Sequence, residues 1–485
     1  MSHLHADSVT ATRLEELLTT IEESAAEPKT FLAGDHNPNQ PQAKSHSTPT
    51  YTSARTLYPF FGDAHISSKA AVLKLACERV NTLVTPPQLL VMQEAASFFT
   101  TAALRICVEN DVATHIQELS SGDKGAPIEE LSTTSMLDAK LLARTLRFLS
   151  HKGIFQEDSP GRWKNTTASL TLINDQEFKA FLSLMTNEIQ NASSKLGECM
   201  EQQFTSSQMH ESGTQPQQGS SELSPFAAYH GLPLYEWLHQ PENISRGQNF
   251  NQAMRGLSHL ESTFSLPFDY AFDSLPAGTT LVDIGGGVGA IAEILLPEYP
   301  ALKMVVQDLP PVVKAAEEKP SQIIRKFMHE GRLSFRAHDF FTDQPEDLKG
   351  ASFLVCNVLL NHSDESSVKI LSCLRNSNPS KLLIVDRLYG PFFPTEGNTS
   401  EDEKKIYDTI RKSAKANGGV RSQSLPGVYD MIMAAMFVTK TRTLEEWNGL
   451  LGQAGFSLTS VTPLRASSGQ VVIEAGILPN WIQST

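Results

Sequence analysis

From about residue 279 the chain alternates between short, uninterrupted apolar runs and longer stretches with helical spacing. The runs are TLVDIGGG, KMVVQD, LSFRAHDF, SFLVCNVL, KLLIVDRL, SLTSVTPL and QVVIEAGI. Strands covered on both faces read this way, because no position along them has to meet water. The pattern predicts a parallel sheet between helical layers, a doubly wound α/β domain. Upstream the spacing is helical. LLVMQEAASFFTTAALRICVENDVATHI is apolar nearly all round and reads as a buried helix, with a subunit interface as one way of covering it. PIEELSTTSMLDAKLLARTLRFLSHKGIFQE and GRWKNTTAS then give a short helix, a Ser/Thr-rich turn, an amphipathic helix and a hairpin, the order of a winged helix. Leu14, Leu17, Leu18 and Ile21 predict a further short helix near the start.

Three stretches interrupt these patterns. Residues 27–55 and 203–224 are rich in Pro, Ser, Asn and Gln and read as a linker and a mobile insertion. Residues 390–425, with GPFFPTEGNTSEDEKK and KANGGVRSQSLPG, read as a third loop. They divide the chain into an N-terminal helix and linker (1–55), a winged-helix domain (56–200), a flexible insertion (201–225) and a Rossmann-like domain (226–485). No internal repeat is found.

Composition adds exclusions. The chain has 485 residues, 40% of them hydrophobic and 19% charged, which is ordinary globular composition. The net charge is −14 and the winged-helix segment carries few basic side chains. Nucleic acid is therefore not the expected partner, since phosphate binding needs a basic footprint, and the winged helix reads as a dimerisation module. Cys77, Cys107, Cys199, Cys356 and Cys373 form no C-x-x-C pair, which predicts free thiols in a reducing compartment and no metal site. MSHLHADSVTATRLEELL lacks the apolar core of a secretory signal, and no window is long and apolar enough to span a bilayer. The expectation is a cytoplasmic protein with no membrane partner.

The candidate chemistry begins at LVDIGGGVGAIAEILL, a buried strand, a glycine turn and a helix. Gly285, Gly287 and Gly289 let the backbone approach a ligand, but the third glycine of G-x-G-x-x-G is missing. Asp283 ends the strand before the turn. Asp308 ends KMVVQD, where an acid can accept from ribose hydroxyls. Asp339 follows the next strand. Acids ending successive strands around a glycine turn point to a nucleotide-like cofactor. NAD is compatible with this, although a pyrophosphate would be repelled by Asp283 and a cationic cofactor would not.

VDIGGGVG, VVQDLPPVV, AHDFF, NVL…SDE, LLIVD and RTLEEW…GF together resemble the S-adenosylmethionine-dependent O-methyltransferases of the plant caffeate type and their fungal secondary-metabolite relatives. The resemblance covers roughly residues 80–485. It implies a class I methyltransferase fold with a winged-helix dimerisation domain, a homodimer, S-adenosylmethionine as cofactor and a small aromatic or polyketide-like acceptor. By position it implies that Asp283, Gly285 and Gly287 hold the methionine part, Asp308 with Leu309 the ribose, and that Asp339 and Phe340 border the adenine. Phe250, Asn251 and Met254 in NFNQAMRGL, with Tyr429 and Met433, match segments that line cofactor and acceptor. Helix packing is an equally good reading for Phe250, Met254, Tyr429 and Met433.

One position departs from the family. Its members carry a phrase like NVLHDWSDE, with the histidine as general base. This chain has NVLLNHSDE, so Leu360 stands at the histidine position and His362 at the tryptophan position. Three readings follow. His362 is a relocated base, with Asp386 orienting it or the acceptor. The acceptor is acidic enough to need no base, and positioning suffices. Or no methyl is transferred, and the cofactor stays bound as a cation in a pericyclase or isomerase. His362 also reads as a plain helix-start residue capped by Asn361 or Ser363. Thr441 stands where plant members have a second acid, and Glu445 and Glu446 read as solvated.

Overall fold

A computed structural model describes residues 15–25, 64–211, 224–261, 266–389 and 424–479, with 277, 438 and 465–468 excepted, and the single positions 404 and 408. The linker 27–55 lies outside the described residues, as do 212–223 of the second interruption and nearly all of the third. The chain forms two compact units, residues 1–97 with 392–424, and residues 98–391 with 425–485.

In the first unit, residues 15–25 form the helix expected from the leucine spacing, with Leu17 buried. Ala64–Val84 is a second helix that buries Leu75 and Ala76. Pro87–Ala95 is a third, and it has no buried residue. The apolar segment expected as one buried helix is therefore broken. It continues, in the second unit, as Phe98–Glu109 and Val112–Leu119. The latter break falls at Asn110–Asp111, where Asp111 adopts the left-handed conformation at φ 50°, a state that Asp and Asn tolerate better than most residues.

The second unit begins with the winged helix. Strands β1 (Ala126–Pro127), β2 (Phe155–Ser159) and β3 (Arg162–Asn165) form a small antiparallel sheet ordered β1-β3-β2. Helix Ala139–Ser150 starts at Asp138, whose carboxylate accepts from Leu141 N at 2.8 Å. It buries Leu142, Thr145, Leu146 and Leu149, the i, i+3, i+4, i+7 face that the spacing requires. These pack with Ile116, Leu131, Phe155 and Trp163 in one core, so truncating Leu146 to Ala would cost about 2–5 kcal/mol.

Helices Gln176–Leu184 and Ile244–Glu261 bridge to the large sheet and cross each other closely. At Gly256 a Cβ would sit 2.5 Å from the Glu177 carbonyl carbon, so only glycine allows this approach. The large sheet has seven strands: β4 (Thr280–Ile284), β5 (Lys303–Asp308), β6 (Leu333–Ala337), β7 (Ser352–Cys356), β8 (Lys381–Arg387), β9 (Phe456–Pro463) and β10 (Gln470–Ile477). Their order is β6-β5-β4-β7-β8-β10-β9. Strands β4 to β8 are parallel, as expected, but β10 runs antiparallel to β8 and to β9. A purely parallel sheet is thus corrected to a mostly parallel one. The short connection from β9 to β10 cannot carry a crossover helix, so the two strands must pair as a hairpin. The chain winds outward from β4 to β6 and resumes at β7 on the other side of β4. That reversal opens a crevice at the carboxyl ends of β4 and β7, where ligands of such sheets bind.

Candidate active site

The glycine turn follows β4 at this crevice. Gly285, Gly287 and Gly289 all have positive φ, at 67°, 58° and 89°. Gly286 has another reason to be glycine: a Cβ there would lie 2.4 Å from Asp283 Oδ2. The Asp283 carboxyl is folded beneath the turn and fully buried, and neither oxygen has a hydrogen-bond partner among the described residues. Burial, with the Asp308 charge adding to it, pushes its pKa up to about 7. A buried carboxylate without donors is costly unless a cation or donor from elsewhere completes it. Asp308 is already organised. Its Oδ2 accepts from Gly287 N at 2.9 Å and its Oδ1 from Leu309 N at 2.7 Å, which ties the end of β5 to the turn.

Asp339, after β6, is exposed and accepts from Phe341 N at 2.9 Å, so its side chain holds its own turn. Phe340 is half-buried and approaches the glycine turn, its Cε1 lying 3.6 Å from where a Gly285 Cβ would be. His362 completes an aromatic group, edge-on to Phe340 and to Phe341 with 5.6 Å between ring centres in each case. Burial, aided by the nearby Arg442 charge, lowers the His362 pKa and keeps the ring neutral.

Leu360 faces a different environment. It is buried in an apolar group with Phe181, Phe226, Tyr429, Met433 and Met436, and Phe250 and Met254 pack against that group. Asn251 is exposed, as its offset along the helix from Phe250 and Met254 requires. The fold thus packs Tyr429, Met433, Phe250 and Met254 with Leu360 in one apolar cluster, and sets His362 with the aromatic residues beside the glycine turn. Asp386, at the end of β8, lies beside the Leu360 main chain. Its Oδ1 accepts from Arg387 N at 2.6 Å, while Oδ2 is buried without a partner among the described residues. Burial pushes its pKa up to about 7, against the opposing pull of the Arg387 N–H, the Arg442 charge and the Leu360 N–H.

Arg442 fixes the segment that separates these two environments. Its guanidinium donates to Asp364 Oδ1 at 2.8 Å, Leu359 O at 2.9 Å, His362 O at 2.8 Å and Ser367 Oγ at 3.1 Å. Arg442 opens the RTLEEW phrase, but nothing in the spacing of that phrase announces this task. Glu446, expected as solvated, closes a capping box with Thr443 and pairs with Lys440. Thr441 is buried and its N–H donates to Asp430 at 2.7 Å. A cavity of about 610 Å³ is bounded by Leu196, Met200, Pro225, His362, Met431 and Arg442 among others. Asp283, Asp308, Leu360 and Asp386 do not line it, so the crevice at the glycine turn, where the unsatisfied acid sits, is the better candidate for chemistry. Among the described residues no cluster of His, Cys, Asp or Glu is arranged to hold a metal ion, and no helix is long and apolar enough to cross a membrane.

Residues 212–457 match the O-methyltransferase domain family model. The chain is 28% identical over 456 residues to O-methyltransferase tpcA of Aspergillus fumigatus, covering 86% of this chain and 87% of the relative. It is 26% identical over 430 residues to 4-O-methyltransferase 1 of Phanerochaete chrysosporium, covering 82% and 86%. Among solved structures, the fold is shared with NcsB1 in complex with S-adenosylmethionine and 2-hydroxy-5-methyl naphthoic acid, at 20% identity and a TM-score of 0.56, covering 80% of this chain and 98% of that one. It is also shared with LepI in complex with S-adenosylmethionine, at 18% identity and a TM-score of 0.59, covering 88% and 99%.

Proposed function

The chain belongs to the O-methyltransferase domain family, and from that premise we propose that it binds S-adenosylmethionine and methylates an oxygen of a small aromatic or polyketide-like secondary metabolite. The observation that carries the cofactor is Asp283. A fully buried carboxyl with neither oxygen satisfied, under a glycine turn, suits a ligand that brings a positive charge. The cofactor's sulfonium supplies an electrophilic methyl. Gly285 and Gly287 leave the turn open for the methionine part, with Asp283 taking its ammonium. Asp308, with Leu309, takes the ribose hydroxyls. Phe340 and His362 flank the adenine, and Asp339 holds the turn that presents Phe340.

The acceptor goes to the apolar wall formed by Leu360, Phe250, Met254, Tyr429 and Met433. Its apolar, aromatic lining suits a planar metabolite. Asp386 is the group best suited to take the acceptor's proton. Its free oxygen is buried beside Leu360, and its pKa near 7 matches the working pH of a general base. His362, neutral and turned to Phe340 and Phe341, acts in the cofactor wall. A second reading rests on Leu360 itself: an apolar residue at the family's base position also suits a rearrangement in which the cofactor remains bound and unchanged. The relatives named O-methyltransferase favour transfer.

A homodimer goes with this reading. The helix Pro87–Ala95 leaves Val91 70% and Met92 60% exposed and buries nothing, as expected of a surface awaiting a partner. The cofactor assignment is tested by calorimetry with S-adenosylhomocysteine. Asp308→Ala weakens binding by about 10-fold or more through the lost charged hydrogen bonds; unchanged affinity overturns the assignment.

A further inference from the structure

The cavity of about 610 Å³ shares His362 with the proposed cofactor wall but none of the acids at the glycine turn. Its volume is that of a pocket for one small molecule, roughly 300–1,000 Å³. Two elements set it apart from the acceptor wall. Helix Ser424–Phe437 turns Tyr429, Ile432, Met433 and Met436 into the cluster around Leu360, and Met431 and Ala434 to the cavity. At about 100° per residue these two sets face opposite ways. The segment after β7 divides in the same manner, burying Leu360 in the cluster and placing His362 in the cavity wall.

The walls describe the ligand. Leu196, Cys199, Met200, Pro225, Met431 and Ala434 make the lining mostly apolar. Met200 and Met431 are 65% and 51% exposed, and such flexible thioethers adapt to flat rings. Cys199 is 4% exposed, and burial raises its thiol pKa, so it stays neutral. The charged groups are already paired, Arg442 with Asp364 at 2.8 Å and Lys440 with Glu446. Ser363 caps helix Asp364–Asn376, its Oγ accepting from Ser366 N at 3.3 Å. Thr439 Oγ1 differs: it is buried with no partner among the described residues. An ionic ligand would lose its hydration here and meet no unpaired charge. An accepting oxygen would satisfy the Thr439 hydroxyl.

We propose that this cavity is a second small-molecule site, which takes one uncharged aromatic molecule by an accepting oxygen such as that of an aryl methyl ether, and that His362 links its occupancy to the cofactor. Methylation turns an acidic hydroxyl into this chemistry, so the site reads product rather than acceptor. The occupant packs behind the ring that stands edge-on to Phe340 and Phe341. It restrains that ring, and less ordering is left for the cofactor to impose. The link rests on the cofactor reading of the preceding section; the site itself does not.

The test is calorimetry on the full chain with two probes of one skeleton, 2-methoxynaphthalene and 2-naphthoate, with and without S-adenosylhomocysteine. The ether is expected to bind about tenfold or more tightly than the naphthoate. Ala434→Trp fills the cavity from the helix face opposite the Leu360 cluster; it should weaken the ether about tenfold or more and leave S-adenosylhomocysteine affinity in the absence of ether unchanged. Thr439→Val removes the hydroxyl at nearly constant volume and should weaken the ether about 2- to 10-fold. Saturating ether should tighten S-adenosylhomocysteine about fivefold in the wild type and not in Ala434→Trp. No binding of the ether, equal binding of the naphthoate, or ether binding that survives Ala434→Trp overturns the site, the last by placing the ether on the Leu360 wall. An S-adenosylhomocysteine affinity indifferent to the ether overturns the link. If Ala434→Trp does not fold, Thr439→Val decides, and an unchanged ether affinity in it overturns the site. A wild type that binds the ether but no S-adenosylhomocysteine removes the cofactor reading, and the ether arms alone then decide the site.

Discussion

Asp283 makes the cofactor site pH-dependent in a calculable way. In the free protein its carboxyl has a pKa of about 7, raised by burial and by Asp308. A bound ammonium favours the ionised form, so the pKa falls in the complex and binding releases a proton. The sign follows: affinity is full above pH 7 and is lost as pH falls through it. The binding-competent fraction is about 9% at pH 6 and about 91% at pH 8 for a group titrating at 7. The affinity for S-adenosylhomocysteine should therefore rise about tenfold across that interval, about 1.4 kcal/mol. Isothermal titration in two buffers of different ionisation heat counts the protons, with about half a proton released at pH 7. Asp386 titrates in the same range but touches no cofactor in this account, so the control is Asp283→Asn. That variant should bind more weakly by about 1.5–3 kcal/mol and show a flat profile, because its amide does not titrate. A pH-independent wild-type affinity refutes the reasoning, as does a slope that survives in Asp283→Asn.

Three further expectations concern other parts of the account. Asp386→Asn should lower turnover by about 10²- to 10⁴-fold, as removal of a general base does. It should also raise the thermal midpoint, and more at pH 8 than at pH 5, because a carboxyl raised from 3.8 to about 7 loses its stabilising effect progressively as pH climbs through that range; undiminished turnover, or a lower midpoint at pH 8, counts against it. His362→Ala should weaken S-adenosylhomocysteine about 2- to 10-fold through two lost aromatic contacts, while turnover at saturating cofactor stays within about threefold of wild type by the same argument; a collapse of saturating turnover would make His362 the base. Sedimentation velocity should give a dimer for the unaltered chain and a monomer for Val91→Asp combined with Met92→Asp; a monomeric unaltered chain counts against the homodimer, and an unchanged dimer mass in the variant would place the interface elsewhere.

The inner strands β4, β7 and β8 were legible because burial on both faces leaves a mostly apolar run; the edge strands β6 and β9 are only partly buried and carry Ser, Thr and Arg, yet all seven runs became strands. The direction of the last two was not. Apolarity carries no polarity of its own, and the brevity of the β9–β10 connection was the available clue. The break at Asn110–Asp111 had a signal too, since Asn and Asp adopt left-handed turns readily, but apolar spacing on either side concealed it. The exposure of Pro87–Ala95 could not be read at all: an apolar helix declares that it needs cover, not whether its own chain supplies it. At the site, the acids, the glycines and Leu360 were visible from spacing and resemblance. The separation of Leu360 from His362 was not, because it depends on the four hydrogen bonds that Arg442 sends across some 80 residues of sequence. Arg387 was invisible for the same reason. An arginine at a strand end normally reads as a solvated charge, and its burial and its stack on Tyr429 appear only in the fold.

The most direct measurement is a mass comparison. Delete the gene in its native host, isolate the metabolite that accumulates, and incubate it with the purified protein and S-adenosylmethionine. The account predicts a product heavier by one CH2 unit, with S-adenosylhomocysteine formed in equal amount. A product of unchanged mass and altered skeleton, with the cofactor unconsumed, would contradict methyl transfer and assign Leu360 to a rearranging enzyme.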